Sequence, residues 1–308
     1  MPVLPGCRVS RSRIVVGVIL IVLLMNATPA LAWGPATHMK LGSDLLSQLG
    51  LLPAAVAALL ARYRRDYLFG NLAADVVIAK RLSRIKQFCH HWATGFAILE
   101  DASTDASRAF ALGYLSHLAA DTVAHNKFIP RQMTLTRSTL SFGHLYWELR
   151  ADSTIGPHHW GQLRVVLGEA FAEHERNLHS RFTDTFLPFS INWRLFYRLN
   201  RFMSRRLCRR ALDRMYDMSR WTLSDQLMRE YRMDCLQRMI DVVSNQRGAT
   251  VLHEDPNGNI ALAYSKAQRR QLRQMARCGL ITPHIMYEAA VSHAPMASSG
   301  AHRRLVER

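Results

Sequence analysis

The sequence is poor in cysteine and in patterns typical of strands. Five cysteines in 308 residues are too sparse for a disulfide scaffold, so the fold must rest on a hydrophobic core. Alternating β-branched stretches joined by hairpin turns are nearly absent, which argues against an all-β fold. No internal repeat or low-complexity tract stands out, so nothing indicates a repeat protein.

Acidic residues are also few. The chain has 23 Asp and Glu against 40 Lys and Arg, which gives a formal net charge of +17. This excess does not determine a fold, but it favours anionic partners such as phosphate esters, anionic lipids and nucleic acids.

The most apolar run is short and lies near the start, at residues 14–25. It follows three arginines and precedes small residues at positions −3 and −1 of a cleavage site before Trp33. This is the layout of a secretory signal peptide, and twelve apolar residues are too few to span a bilayer comfortably. We therefore expect residues 1–32 to be removed and the protein to be exported to the periplasm or beyond the cell. The mature charge would fall to +14, and the four cysteines left permit two disulfides.

The remaining chain has the three- and four-residue apolar spacing of helices. We predict one all-α domain over residues 33–293, without an internal linker, followed by a loose basic tail at 294–308. The predicted helices span residues 36–49, 53–69, 105–126, 139–152, 161–179, 192–217, 221–245 and 266–278. Pro130 is expected to end the third of them.

The predicted helix 105–126 carries His117, Asp121 and His125 at four-residue intervals. In an α-helix they project from one face with a drift of about 40° per step. Their neighbours are small or apolar, which predicts a buried face, and three potential metal ligands on such a face are hard to explain by solvation. A carboxylate between two imidazoles can bridge two metal ions. The alternative is a hydrogen-bonded His-Asp-His ladder without metal.

Further candidate ligands lie on both sides of this motif. His144 and Glu148 form another i, i+4 pair, which could also be a simple helix-face ion pair, and Asp152 on the same face is a candidate to orient a ligand. Asp75 ends a helical run and could be an ordinary cap. His90 and His91 are adjacent, so normally only one of them can point into a given site.

The new N-terminus is a candidate ligand as well. A freed Trp33 amine, its carbonyl and the imidazole of His38 can together chelate a divalent metal. The alternative is that Trp33 is simply the first ordered residue.

In chain order, these elements resemble the zinc-dependent phospholipase C family, which shares its helical fold and trinuclear zinc site with the fungal single-strand nucleases. The resemblance covers roughly residues 33–155, and the ordered set is far more specific than any single motif. It implies up to three zinc ions, with Asp121 shared between the first two. The ions would be held by Trp33 and His38; by Asp75, His117 and one of His90 or His91; and by His125, His144 and Glu148. Asp75 is the candidate to orient or deprotonate a bridging water.

One spacing departs from the secreted bacterial phospholipases and nucleases of this type. There the last histidine of the long motif lies six residues after the aspartate, whereas His125 lies four after Asp121. The shorter spacing is similar to that of glycosylphosphatidylinositol-specific phospholipase D. The metal prediction is unchanged, but the substrate is left open.

Residues 193–221 interleave nine arginines with six aromatic residues. Such a segment could lie in a lipid interface or stack bases along a single-stranded nucleic acid. It could also pack its aromatics on the core with solvated arginines outside.

We therefore predict an exported zinc-dependent phosphodiester hydrolase, of phospholipase C type, that acts on phospholipid at a membrane surface. The alternatives are a single-strand nuclease on the same site and a non-catalytic zinc-binding envelope or lipid-binding protein. No pattern indicates a protein partner, and we expect a monomer.

Overall fold

The computed structural model describes residues 33–77, 88–136, 140–169, 171–183, 185–219, 221 and 223–280. The predicted signal peptide, the basic tail and the last part of the predicted domain lie outside the described residues. In the described part every regular element is helical and no strand forms, which confirms the all-α prediction. None of the helices described there is both long and apolar enough to cross a membrane.

The α-helices of the described residues are numbered α1 to α13 in chain order. They are Pro35–Leu46, Ala54–Arg62, Arg64–Ala73, Trp92–Glu100, Asp105–Val123, Ile129–Thr136, Leu140–Ser153, Pro157–Val166, Ala172–Arg181, Phe189–Met203, Arg206–Asp217, Asp225–Asn245 and Asn259–Arg277. Short 3₁₀ turns at Ala74–Val76 and Phe88–His90 and a π-helical turn at Ala124–Phe128 matter for the site.

Helix α5 is the centre of the fold. It starts with a reciprocal cap in which the side chains of Thr104 and Ser107 each bond the other's backbone N–H. Every residue from 109 to 125 is buried. Its most extensive packing is against α3 and α12, followed by α4. A helix buried on all sides must satisfy each of its polar side chains internally.

Two glycines bring α3 and α5 unusually close. A Cβ on Gly70 would lie 2.1 Å from the carbonyl oxygen of Phe110, and one on Gly113 would lie 2.1 Å from that of Tyr67. Only glycine lets the two backbones approach at this crossing. The crossing places the end of α3, which leads into Asp75, beside the middle of α5.

Pro130 does not end the central helix, so that expectation is wrong. Residues 124–128 form a π-helical turn, and α6 continues directly from it with Pro130 at its second position. The wider turn comes immediately before the proline and accommodates its missing N–H and its ring. His125 lies within this turn.

Three predicted helices are each divided in two, and α4 was not predicted. Residues 53–69 break at Tyr63, whose φ of −110° and ψ of 44° are not helical. Residues 161–179 break between α8 and α9, and residues 192–217 break between α10 and α11. At the last break, the Arg164 side chain donates to the carbonyl of Ser204 at 2.9 Å. Contacts of this kind are tertiary, so apolar spacing could not predict them.

Cysteine pairing does not contribute to this fold. Cys89, Cys208, Cys235 and Cys278, all within the described residues, are free thiols, so neither of the two possible disulfides forms. Cys235 is buried against the backbone of α5, and burial raises the pKa of its thiol. The core carries the stability, as the scarcity of cysteine predicts.

Candidate metal centre

Five of the predicted ligands meet beside the middle of α5. This five-residue cluster comprises His38 from α1, Asp75 and His90 from 3₁₀ turns, and His117 and Asp121 from α5. All five are buried, and Asp75, at 8 % exposure, is the one that reaches solvent most. The cluster therefore opens toward water on the Asp75 side.

Asp121 lies between three imidazoles, and its two oxygens face different ones. Oδ1 lies 3.2 Å from His38 Nε2. Oδ2 lies 3.2 Å from His90 Nε2 and 3.3 Å from His117 Nε2. A carboxylate placed in this way can serve one cation with each oxygen.

The spacing of the cluster fits a shared cation better than a hydrogen-bonded ladder. His90 Nε2 lies 3.3 Å from Asp75 Oδ1 and 3.2 Å from His117 Nε2. Charge-assisted N–H···O bonds are shorter, about 2.7–2.9 Å, whereas tetrahedral ligands of zinc are separated by about 3.3–3.4 Å.

The bonding of His38 and Asp121 agrees with this interpretation. Both ring nitrogens of His38 and both oxygens of Asp121 are buried and have no hydrogen bond of acceptable geometry within the described residues. Burying four such atoms without partners is costly. A bound metal ion would give a partner to His38 Nε2 and to the two oxygens of Asp121, which face the cluster.

The backbone fixes the tautomer of His117. Its Nδ1 lies 2.8 Å from the carbonyl oxygen of Asn71, which can only accept, so Nδ1 carries the proton. The neutral ring then has its lone pair on Nε2, which faces the cluster. His38 stacks on this ring with centroids 3.8 Å apart, which restricts both imidazoles.

Electrostatics favour the protonation states that a metal needs. Burial, and then the neighbouring His117, lower the pKa of His38, against the opposing effect of Asp121. Burial alone would raise the pKa of Asp121, but His117, His38 and His90 hold it well below its ordinary value. A neutral imidazole beside an ionised carboxylate is the ligand form of both groups.

His125, His144 and Glu148 form a second group, the three-residue cluster. His144 Nε2 lies 3.3 Å from Glu148 Oε1, and the rings of His125 and His144 meet edge to face at 5.3 Å. His125 lies in the π-helical turn, and its Nδ1 is 2.6 Å from the carbonyl oxygen of Pro256. All three side chains are buried.

Trp33 lies along α5, near both clusters. Its indole Nε1 donates to the carbonyl of Ala120, next to Asp121, at 3.0 Å. Its ring stacks on Phe128, in the same turn as His125, at 4.8 Å. The side chain is fully buried, so the chain enters the fold at a fixed point.

The structure separates the two adjacent histidines. His90 is fully buried in the five-residue cluster, whereas His91 is exposed and precedes α4. Of the two candidates, the structure thus brings only His90 to the other ligands and leaves His91 outside.

Asp152 forms hydrogen bonds with the start of α1. Its carboxylate accepts from the backbone N–H groups of Ala36 and Thr37, at 3.1 and 2.9 Å, and from the Thr37 hydroxyl at 2.7 Å. It therefore caps the helix that carries His38. Sequence reasoning also missed the carbonyls of Asn71 and Pro256, because every residue has a carbonyl and no local pattern marks these two.

The basic segment 193–221 packs its aromatic rings inward. Phe196 and Tyr216 are buried, and the other four rings pack half-buried against the core. Tyr216 contacts α7, with its ring 5.7 Å from that of Tyr146 and beneath the guanidinium of Arg150 at 4.8 Å. The apolar side chains left most exposed are Leu207, at 80 %, and Met218, at 88 %.

The comparison with protein families gives one match. A family model described as zinc dependent phospholipase C matches residues 37–192, about half of the chain. The matched segment contains both clusters but neither Trp33 nor Pro256. No curated protein and no solved structure matches the chain.

Proposed function

The chain belongs to the zinc-dependent phospholipase C family, and from that premise we propose that it hydrolyses phosphodiesters at a phospholipid surface. The observation that carries the proposal is the carboxylate of Asp121, buried among three imidazoles at 3.2–3.3 Å. A site with these donors and spacings is suited to divalent zinc.

We propose three zinc positions. Asp121 is shared between the first two, and the third lies at the three-residue cluster. The ligand sets are the Trp33 amine and carbonyl with His38 and Asp121; Asp75, His90, His117 and Asp121; and His125, His144 and Glu148. Of the two adjacent histidines we assign His90 as the ligand, because His91 is exposed.

The residues of the chain have separate tasks in the proposed reaction. When bound, zinc supplies an acidified water and positive charge opposite the phosphoryl oxygens. Asp75 is the most solvent-accessible member of its cluster, and we assign it to orient that water and accept its proton. His117 keeps its proton on Nδ1 through Asn71, so its Nε2 stays available as a ligand. The other members of the cluster are more deeply buried than Asp75, and this limits the access of competing water.

We propose phospholipid as the substrate class. The signal-like segment 1–32, the basic composition and the exposed arginines of α11 suit an anionic or zwitterionic lipid surface. The His125 spacing favours the branch that cleaves glycosylphosphatidylinositol. Base stacking on residues 193–221 has less support, because the rings pack against the core.

The test combines metal analysis with a substrate panel. The purified protein, starting at Trp33, is assayed for zinc and then offered phosphatidylcholine vesicles, glycosylphosphatidylinositol, single-stranded DNA and bis(4-nitrophenyl) phosphate. We expect bound zinc, release of phosphorylated headgroup, and loss of turnover on chelation. Brisk digestion of DNA without lipid turnover would establish the nuclease instead. Bound zinc with no turnover of any substrate would establish a non-catalytic binding protein.

A further inference from the structure

A loop beyond the family-matched segment contacts both clusters. It consists of residues 254–258, between α12 and α13, and has the sequence Glu-Asp-Pro-Asn-Gly. Pro256, Asn257 and Gly258 are buried although they form a turn, which is unusual for a polar connection. A buried loop has to place its backbone groups on specific partners.

The first contact of the loop is with His125. The carbonyl oxygen of Pro256 lies 2.6 Å from His125 Nδ1 and can only accept, so Nδ1 carries the proton. The lone pair of the neutral ring is then on Nε2, the nitrogen proposed to bind zinc. The side chain of Asn126, the next residue, donates to the carbonyl of Asp255 at 2.9 Å. This is a second hydrogen bond between the loop and the π-helical turn.

The second contact is with the segment that carries His90. The side-chain amide of Asn257 donates to the carbonyl oxygen of His90 at 3.0 Å. Two residues further on, Trp92 Nε1 donates to the carbonyl of Glu254 at 2.9 Å. The loop therefore holds a ligand of each cluster at once.

The loop is held by its own hydrogen bonds and by an ion pair. Asp255 accepts from the backbone N–H groups of Asn257 and Asn259, at 2.9 and 3.0 Å, and Glu254 pairs with Arg238. Gly258 has a φ of +58°, and a Cβ there would lie 2.4 Å from the carbonyl oxygen of His125. The turn reaches His125 only because this residue has no side chain.

We propose that loop 254–258 is a positioning clamp for the zinc site. It fixes the tautomer of His125 through Pro256 and the place of His90 through Asn257, and so it couples the two clusters. The proposal rests on the proposed zinc-dependent function. Groups that orient a metal ligand in this way are worth roughly 10- to 100-fold in metal affinity.

The test measures zinc binding rather than turnover. Asn257→Asp keeps the shape of the side chain but places a carboxylate oxygen against the carbonyl of His90. We expect one zinc ion to bind roughly 10- to 100-fold more weakly in chelator competition, with helical circular dichroism unchanged. Asn177→Asp, the same change at an exposed position of α9, is the matched control and should leave zinc binding intact. If Asn257→Asp does not fold, the milder Asn257→Ser is measured in the same way.

A second readout works without metal. In chelated wild-type protein, the Nδ1 proton of His125 should give a slowly exchanging imidazole resonance, and Gly258→Ala should abolish it. Unchanged zinc affinity in folded Asn257→Asp or Asn257→Ser would overturn the clamp, as would a persistent resonance in Gly258→Ala. Wild-type protein that shows the resonance but binds no zinc would instead refute the proposed function.

Discussion

Helices α5 and α11 both carry ionisable side chains at four-residue intervals, but they place them in opposite environments. In α5 every residue from 109 to 123 is buried, so His117 and Asp121 must find partners inside the fold. In α11 only Tyr216 is buried, and Arg206, Arg210 and Arg214 face solvent, where they need none.

The difference shows which sequence patterns carry chemical information. A polar residue on a buried face is costly, so its presence implies a specific interaction. An arginine on an exposed face is compatible with lipid, nucleic acid or water alone. Substitutions in α5 should therefore have large and specific effects. The effects of substitutions in α11 should be small and depend on the substrate.

The largest effect is expected from Asp121→Asn. The change replaces one oxygen by an NH2 group, which cannot bind a cation, and removes the negative charge that both zinc positions share, so the two should weaken together. We expect more zinc to be lost than in His38→Gln or His144→Gln, and activity to fall by more than about 100-fold, beyond the usual cost of changing a ligand-orienting group. Elemental analysis measures the metal, and Asp213→Asn on exposed α11 is the control. Full zinc content in Asp121→Asn would show that the carboxylate is not shared.

The next largest effect is expected from extending the N-terminus. A peptide bond at Trp33 removes the amine as a ligand, so three extra residues before it should cost one zinc ion and most activity. The same three residues added at the C-terminus are the control. Terminal sequencing of exported protein should find Trp33 first, and a start several residues away would refute this assignment.

A moderate effect is expected from Asp152→Asn, with a defined pH dependence. Burial raises the pKa of Asp152 from its ordinary value of 3.8 to about 6, despite three hydrogen bonds from Ala36 and Thr37. The folded protein thus binds this proton more tightly than the unfolded chain does. The contribution of this group to stability is therefore full below pH 4 and is lost as the pH rises to about 6.

Denaturant unfolding in chelator measures that contribution. As the pH falls from 7 to 4, wild-type protein should gain about 1–3 kcal/mol relative to Asp152→Asn. Asp217→Asn, at an exposed position of α11, should show no such relative gain. A difference that stays constant over this range would mean that Asp152 remains ionised.

The smallest effect is expected from the exposed arginines at the start of α11 and immediately before it. Arg205→Gln, Arg206→Gln and Arg210→Gln together should lower turnover of anionic phospholipid vesicles about 3- to 10-fold and leave bis(4-nitrophenyl) phosphate unaffected, because only docking is weakened. Arg209 is retained, since it is half-buried with its guanidinium 5.8 Å from the Trp160 ring.

The matched control for this change is the glutamine triple variant at Lys266, Arg270 and Arg277, which removes equal charge from exposed positions of α13. If both triple variants lose vesicle turnover equally, net charge rather than α11 is responsible. If neither loses it, the exposed arginines have no part in docking.

Much of the candidate site could be predicted from residue type and order. The i, i+4 spacings of His117 with Asp121 and of His144 with Glu148 are local, and helix geometry brings each pair to 3.3 Å. His125 shows where this reasoning fails. Its ring meets that of His144 on α7, with centroids 5.3 Å apart, and the four-residue interval alone does not reveal which cluster it joins.

The sequence by itself determined the helical class, the ligand types and their order, because these follow from side-chain chemistry and apolar spacing within one helix. Only the tertiary structure decided that His90 rather than His91 enters the cluster and that Asp152 caps α1. It also decided that Pro256 fixes a histidine 131 residues away. The physical reason is that such contacts are placed by the packing of segments distant in the chain, and those of Asp152 and Pro256 also involve backbone groups common to all residues.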